Sequence, residues 1–165
     1  MKLLNSIGPN PKVVRMFLAE LGMSVDIEKV DLIKAENRGD VYVAKNASGT
    51  TPALELDDGT YLCEIIAICE YLDEVSDADS LIGDTAEERG ETRMWCRRID
   101  LNILETLTNG YRYSAGQALF KDRMRLIPQA ADDLKALAQE KITWLDDLME
   151  GKEFVCGSRF TLADV

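Results

Sequence analysis

The segment from Thr50 to Glu64 brings together the residue types from which a peptide-binding corner is built. Pro52 stands where a strand begins, a place in a sheet where a missing N–H costs little. A cis Thr51–Pro52 bond there turns the Thr51 main-chain N–H and C=O outward. Asp57-Asp58-Gly59 then supplies a hairpin turn, and Tyr61-Leu62-Cys63 leads to Glu64 at a helix start, where a carboxylate stands beside free N–H groups. An open amide edge next to an acidic anchor can hold a peptide. Other chemistries are excluded by what the chain lacks. It contains no histidine, which removes Ser/His/Asp and Cys/His catalysis and imidazole metal sites. Cys63, Cys69, Cys96 and Cys156 show no CxxC spacing and lie in apolar or helical stretches. They read as buried free thiols, not as a zinc site or a dithiol redox pair, and no metal is expected.

The elements that must position this corner are legible from periodicity. Lys2 to Asn5 reads as a strand, followed by a turn through Ser6-Ile7-Gly8-Pro9 into a helix with Asn10 as N-cap and Pro11 as first residue. Val13, Val14, Phe17, Leu18 and Leu21 recur on one helical face until Gly22, and Val25 to Val30 alternates as a strand. Ala35 to Lys45 predicts a shorter polar helix. The Ser48-Gly49 loop, the hairpin and an apolar helix from Glu64 to Glu74 complete a βαβαββα order.

Residues 76–85, rich in Ser, Asp and Gly, form a connector between residues 1–75 and an all-helical part at 86–165. There the periodicity predicts one helix from Ala86 to about Thr108 and a long or kinked one from Lys121 to Met149, with Trp95 and Trp144 in the core. Pro128 kinks or interrupts the start of the second, and Gly110 and Gly116 mark irregular chain between the two. Thr161-Leu162-Ala163-Asp164 has the spacing of a capping box, flanked by Phe160 and Val165 at the staple positions. A helix is expected to begin there, continued by about 30 or more further residues in a longer parent protein.

At 165 residues and 46% hydrophobic content the chain can bury a sizeable core. Nineteen basic and thirty acidic residues leave a net charge of -11, which repels phosphate backbones and anionic headgroups and argues against nucleic acid or membrane as partners. No apolar run approaches the roughly 20 residues that cross a bilayer, and the N-terminus does not read as a signal peptide, so the chain reads as cytoplasmic.

The βαβαββα half, Gly49-Thr50-Thr51-Pro52, Glu64 at the next helix start, and a helical half ending in Phe160-Thr161-Leu162-Ala163-Asp164 together resemble the cytosolic glutathione transferases. The block from Ala44 to Leu54 is the most specific, and the likeness covers nearly the whole chain. It implies an α+β, thioredoxin-like N-terminal domain followed by an all-α domain, with glutathione as co-substrate, a small electrophile as second substrate, a detoxifying transferase reaction and a homodimer.

Residue by residue, it implies that the main chain of Thr51, before Pro52, pairs with the cysteinyl part of glutathione. Glu64 and the Ile65 N–H then hold the γ-glutamyl end. Ile65 departs from the serine usual in the family, and Thr50 stands where Lys or Gln is usual, leaving Lys34, Arg38 or Lys45 to meet the glycyl carboxylate. The tyrosine, serine or cysteine that activates the thiol in most relatives is not evident. Asn10 and Ser6 are the candidates, and the chain looks like the atypical fungal and bacterial members that use helix N–H groups and a bound water. Tyr111, Tyr113 and Ser114 could hold such a water. The resemblance also leaves open a catalytically silent, protein-binding scaffold and, less favoured, a thiol-disulfide oxidoreductase.

Overall fold

Leu3 and Leu4 point to opposite faces of β1 (Lys2–Asn5), and both are fully buried, which makes β1 the interior strand that organises the first half of the chain. The computed structural model describes residues 1–165, and they divide into two compact units, Met1–Ile82 and Gly83–Asp164. In the first unit β2 (Asp26–Lys29) runs parallel to β1, β3 (Ala53–Glu55) antiparallel to it, and β4 (Tyr61–Cys63) antiparallel to β3, giving the order β2-β1-β3-β4. Leu3 faces Ile27 and Leu54, and Leu54 faces Leu62, on the side covered by α1 (Pro9–Glu20) and α3 (Ile65–Glu74). Val14, Phe17, Ile68 and Leu72 are fully buried there, each contributing about 1.5–3 kcal/mol by leaving water. The opposite face is closed by a smaller cluster of Leu4, Val30, Tyr42 and Ala53 beneath α2 (Asp40–Val43).

Proline and glycine punctuate α1 as its sequence requires. Its last turn closes with the Met23 N–H on the Leu18 carbonyl and the Gly22 N–H on the Ala19 carbonyl, around a left-handed Gly22 (φ 63°). Its start differs from the expectation. The helix begins at Pro9 with Gly8 (φ 126°) as N-cap, so Asn10 lies inside the first turn. The helix expected over Ala35–Lys45 is also broken. Ala35 is left-handed (φ 56°), a tight turn covers Glu36–Arg38, and only Asp40–Val43 is α-helical, because the Asn37 side chain bonds across to Gly49 instead of lying on a helix surface.

In the second unit, α4 (Ala86–Ile99) opens with a capping box in which the Glu88 N–H donates to Thr85 Oγ1 and the Glu88 carboxylate accepts from the Thr85 N–H. A single wide turn at Asp100–Leu104 carries the chain on into α5 (Glu105–Arg112). Gly110 is therefore helical, and it is small because α7 (Ala131–Met149) crosses it so closely that a Cβ would sit 3.3 Å from the Ala131 carbonyl. The long helix expected from Lys121 starts ten residues later at Ala131. A short α6 (Gln117–Phe120) and a turn at Pro128–Ala130 precede it, since Pro128 has no N–H to continue a helix. Trp95, Val155 and Cys156 centre this unit's core, with Trp144 6.3 Å from Trp95 between ring centroids. At Thr161–Asp164 the chain makes one turn. The Asp164 carboxylate accepts from the Thr161 N–H (2.9 Å) and, across the unit, from the Val155 N–H (2.8 Å).

Candidate active site

The strand register decides which residues meet. β1 ends at Asn5, β4 ends at Cys63 and β3 begins at Ala53, with Leu4, Ala53 and Cys63 in register. Ser6, the Thr51–Pro52 pair and Glu64 therefore leave the sheet at the same end, together with the N-termini of α1 and α3. The Thr51–Pro52 bond is cis. The Thr51 N–H and C=O take no part in the chain's loop and turn hydrogen bonding, which leaves a two-point edge for a partner.

The loop that delivers this edge is pinned by side chains. Tyr42 Oη donates to the Thr50 carbonyl (2.6 Å), and so does Asn46 Nδ2 (2.9 Å). Asn37 Nδ2 donates to the Gly49 carbonyl (2.6 Å) and Arg38 Nη1 to the Ser48 carbonyl (3.2 Å), while Asn46 Oδ1 accepts from the Ser48 N–H and hydroxyl. Three consecutive carbonyls before Thr51 are thus held in place. Tyr42, Asn46 and Asn37 are all buried. Burial, helped by the neighbouring Cys63, pushes the Tyr42 hydroxyl up to about 12, so it remains a donor at every physiological pH. Asn37 and Asn46 escaped the sequence reading. The only local signal was Asn46-Ala47-Ser48-Gly49, an Asx-turn pattern that passed as ordinary loop.

Glu64 is exposed, N-caps α3 with φ 72° and ψ 131°, and makes no capping hydrogen bond with its carboxylate. A non-glycine residue held in this region stores strain. Behind it the first N–H groups of α3, from Ile65 on, have no acceptor within the helix, since the first intrahelical bond runs from the Ile68 N–H to the Glu64 carbonyl. An ammonium can meet the carboxylate while a carboxylate meets those N–H groups.

The start of α1 has an unusual donor inventory. Of the N-cap and first three residues, whose N–H groups are ordinarily free, Pro9 and Pro11 have none. Gly8 and Asn10 supply the two that remain, and the Asn10 side chain is exposed. Ser6 is enclosed, at 3% exposure, with its hydroxyl 2.5 Å from Thr51 Oγ1 and 3.2 Å from the Ile7 carbonyl.

The other residues named from sequence have their own local partners. Arg38 rests against the Ser48–Gly49 loop. Lys45 pairs with Glu28 at 3.6 Å and sits over the Tyr61 ring, on the α2 face of the sheet. Lys34 is exposed beside Asp31. Tyr113 ends α5 in the second unit, partly buried, and the Ser114 hydroxyl is turned back onto the Gly110 carbonyl. Cys63 is partly buried, and burial together with Glu64 raises its thiol, which keeps it protonated and a poor nucleophile at neutral pH. No disulfide joins the cysteines, and no helix is long and apolar enough to cross a membrane.

The comparisons with known proteins bear on the family and the fold. Residues 7–75 match the family model of the glutathione S-transferase N-terminal domain. Glutathione S-transferase 2 of Saccharomyces cerevisiae is 32% identical over 165 residues, covering 96% of this chain and 69% of that protein. Glutathione S-transferase GstA of Escherichia coli O157:H7 is 31% identical over 166 residues, covering 99% and 77%. Among solved structures, a glutathione S-transferase domain-containing protein of Marinobacter aquaeolei superposes with a TM-score of 0.93 at 35% identity, over 99% of this chain and 82% of the other. With the thioredoxin-like sheet and the helical second unit in place, these likenesses show that the chain belongs to the glutathione S-transferase family, of the fungal and bacterial type.

Proposed function

We propose that the protein is a glutathione transferase that joins the sulfur of glutathione to a small electrophile. The observation that carries this reading is the convergence, at one end of the sheet, of the unpaired Thr51 amide edge and the exposed Glu64 at the head of α3. The cysteinyl part of glutathione pairs with the Thr51 N–H and C=O as a one-residue strand. Its γ-glutamyl ammonium meets the Glu64 carboxylate, and its α-carboxylate meets the Ile65 N–H. Arg38, beside the loop before Thr51, is the better placed cation for the glycyl carboxylate, because Lys45 is engaged by Glu28.

Binding orients the thiol toward the start of α1. There the Asn10 N–H and side-chain amide hold the sulfur as thiolate, lowering its proton affinity from the ordinary cysteine value of about 8.5. The thiol proton leaves to solvent, the sulfur forms a bond to the electrophilic carbon, and the displaced group departs with its electron pair. The active species is assigned to a cytoplasmic homodimer, as in the resembling family.

Titration calorimetry with glutathione tests the reading first, and conjugation of a nitro-substituted aryl halide tests it second. Saturable binding and glutathione-dependent turnover are expected. No heat at millimolar glutathione defeats the proposal. Binding without turnover on a broad electrophile panel favours the silent, protein-binding scaffold, a reading supported by the enclosure of Ser6, the only hydroxyl in the α1 approach.

A further inference from the structure

We infer that Ser6, at the position where a relative's activating hydroxyl would be sought, is a positioning residue that acts through Thr51 and donates nothing to sulfur. The inference rests on the glutathione-binding reading of the Thr51 edge. A serine hydroxyl has one proton and two lone pairs. Ser6 Oγ is within 3.2 Å of the Ile7 carbonyl, which can only accept, and within 2.5 Å of Thr51 Oγ1, which can give or accept. With the Ser6 proton on the Ile7 carbonyl, Thr51 must donate to Ser6. With the Ser6 proton on Thr51, it is equally spent. Neither arrangement leaves the Ser6 O–H for a ligand, and at 3% exposure Ser6 has no free face on which to receive one.

The pair instead joins the end of β1 to the residue before Pro52, two points 45 residues apart in sequence. Thr51 is itself only 9% exposed, and its hydroxyl faces the buried Ser6. Its main-chain N–H and C=O, by contrast, enter no loop or turn hydrogen bond. The inward hydroxyl contact fixes the rotation of the Thr51 unit, and through it the direction of the amide edge. The neighbouring clamps from Tyr42, Asn46 and Asn37 grip Thr50 and Gly49, one and two residues earlier, whereas the Ser6 contact is a side-chain hydrogen bond made by Thr51 itself.

The test compares Ser6→Ala, Thr51→Val, the double variant and Thr51→Ser. The readouts are glutathione affinity by calorimetry and the pH profile of kcat, which reports the bound thiol. Loss of one hydrogen bond predicts about three- to tenfold weaker glutathione binding in each of the first two. The double variant is expected to be no weaker than the worse single, because both remove the same contact. Thr51→Ser, which restores the hydroxyl without the methyl group, recovers most of the Thr51→Val loss, and the kcat profile of Ser6→Ala keeps the parent's inflection. Additive losses overturn the inference, as does a Thr51→Ser variant as weak as Thr51→Val. A Ser6→Ala profile shifted upward by a unit or more with affinity unchanged overturns it too, since that is the mark of a donor to sulfur. A parent protein that does not bind glutathione removes the binding reading together with this inference, whereas binding with any of the contrary patterns removes the inference alone.

Discussion

Glu64 carries two separable properties, a carboxylate that the fold does not use for capping and a backbone at φ 72° that L-residues avoid. Replacing it with glycine and with alanine pulls them apart. Glycine relieves a strain of about 1–3 kcal/mol and gives back roughly 0.5–1 kcal/mol through its larger entropy loss on folding. The net gain is about 1 kcal/mol, which for a chain of this size raises Tm by about 2–4 °C. Alanine keeps the Cβ and the strain, so its Tm stays at the parent's. Both lose the anchor for the γ-glutamyl ammonium, a charge-assisted hydrogen bond of about 1.5–3 kcal/mol, and both bind glutathione about 10- to 100-fold more weakly. Differential scanning calorimetry and isothermal titration on the two variants read both effects. A glycine variant no more stable than the alanine one would refute the strain argument. Affinity retained in either would refute Glu64 as the anchor.

Further outcomes concern the rest of the site and the second unit. Asn10→Ala lowers kcat for conjugation about tenfold and moves the kcat profile to higher pH, while Ser6→Ala changes affinity and not that profile; steady-state kinetics from acid to alkaline pH distinguish them. Asn46→Ala removes a donor to the Thr50 carbonyl and an acceptor for two Ser48 groups; it costs about 2–3 kcal/mol in urea unfolding, more than Tyr42→Phe at about 1 kcal/mol, because Asn46 still holds the Thr50 carbonyl in the latter. The N–H groups of Asp84 and Thr85 hold the Glu88 carboxyl below its ordinary value of 4.5. Its stabilising effect is therefore full above that value and is lost as pH falls through the depressed native one. Glu88→Gln thus lowers the urea midpoint at neutral pH and narrows to no difference in strong acid.

The sheet-forming half was largely readable in the sequence because its signals are local. Period-two and helical apolar spacing gave β1, α1 and α3, and Gly22 and the Asp57-Asp58-Gly59 turn marked where the chain reverses. The cis Thr51–Pro52 bond and the place of Glu64 at the head of α3 were likewise marked by their immediate neighbours. What escaped was set by partners distant in sequence. The Ala35–Lys45 helix failed because Asn37 is recruited by Gly49, twelve residues on, and the enclosure of Ser6 depends on Thr51, 45 residues on. Gly110 passed as a breaker because nothing nearby announces that α7 crosses it. Asn10 was read as a cap, although Pro9 can open a helix one residue before it with Gly8 at the cap.

β2 closes one margin of the sheet with its outer N–H and C=O groups unclaimed by another strand, the arrangement by which one chain templates the stacking of the next. It spans only four residues, Asp-Ile-Glu-Lys, and Glu28 is tethered on its flank by Lys2 and Lys45. A visiting strand would gain very few hydrogen bonds and meet charged side chains at three of the four positions. That makes this margin a poor seed for fibril-like association.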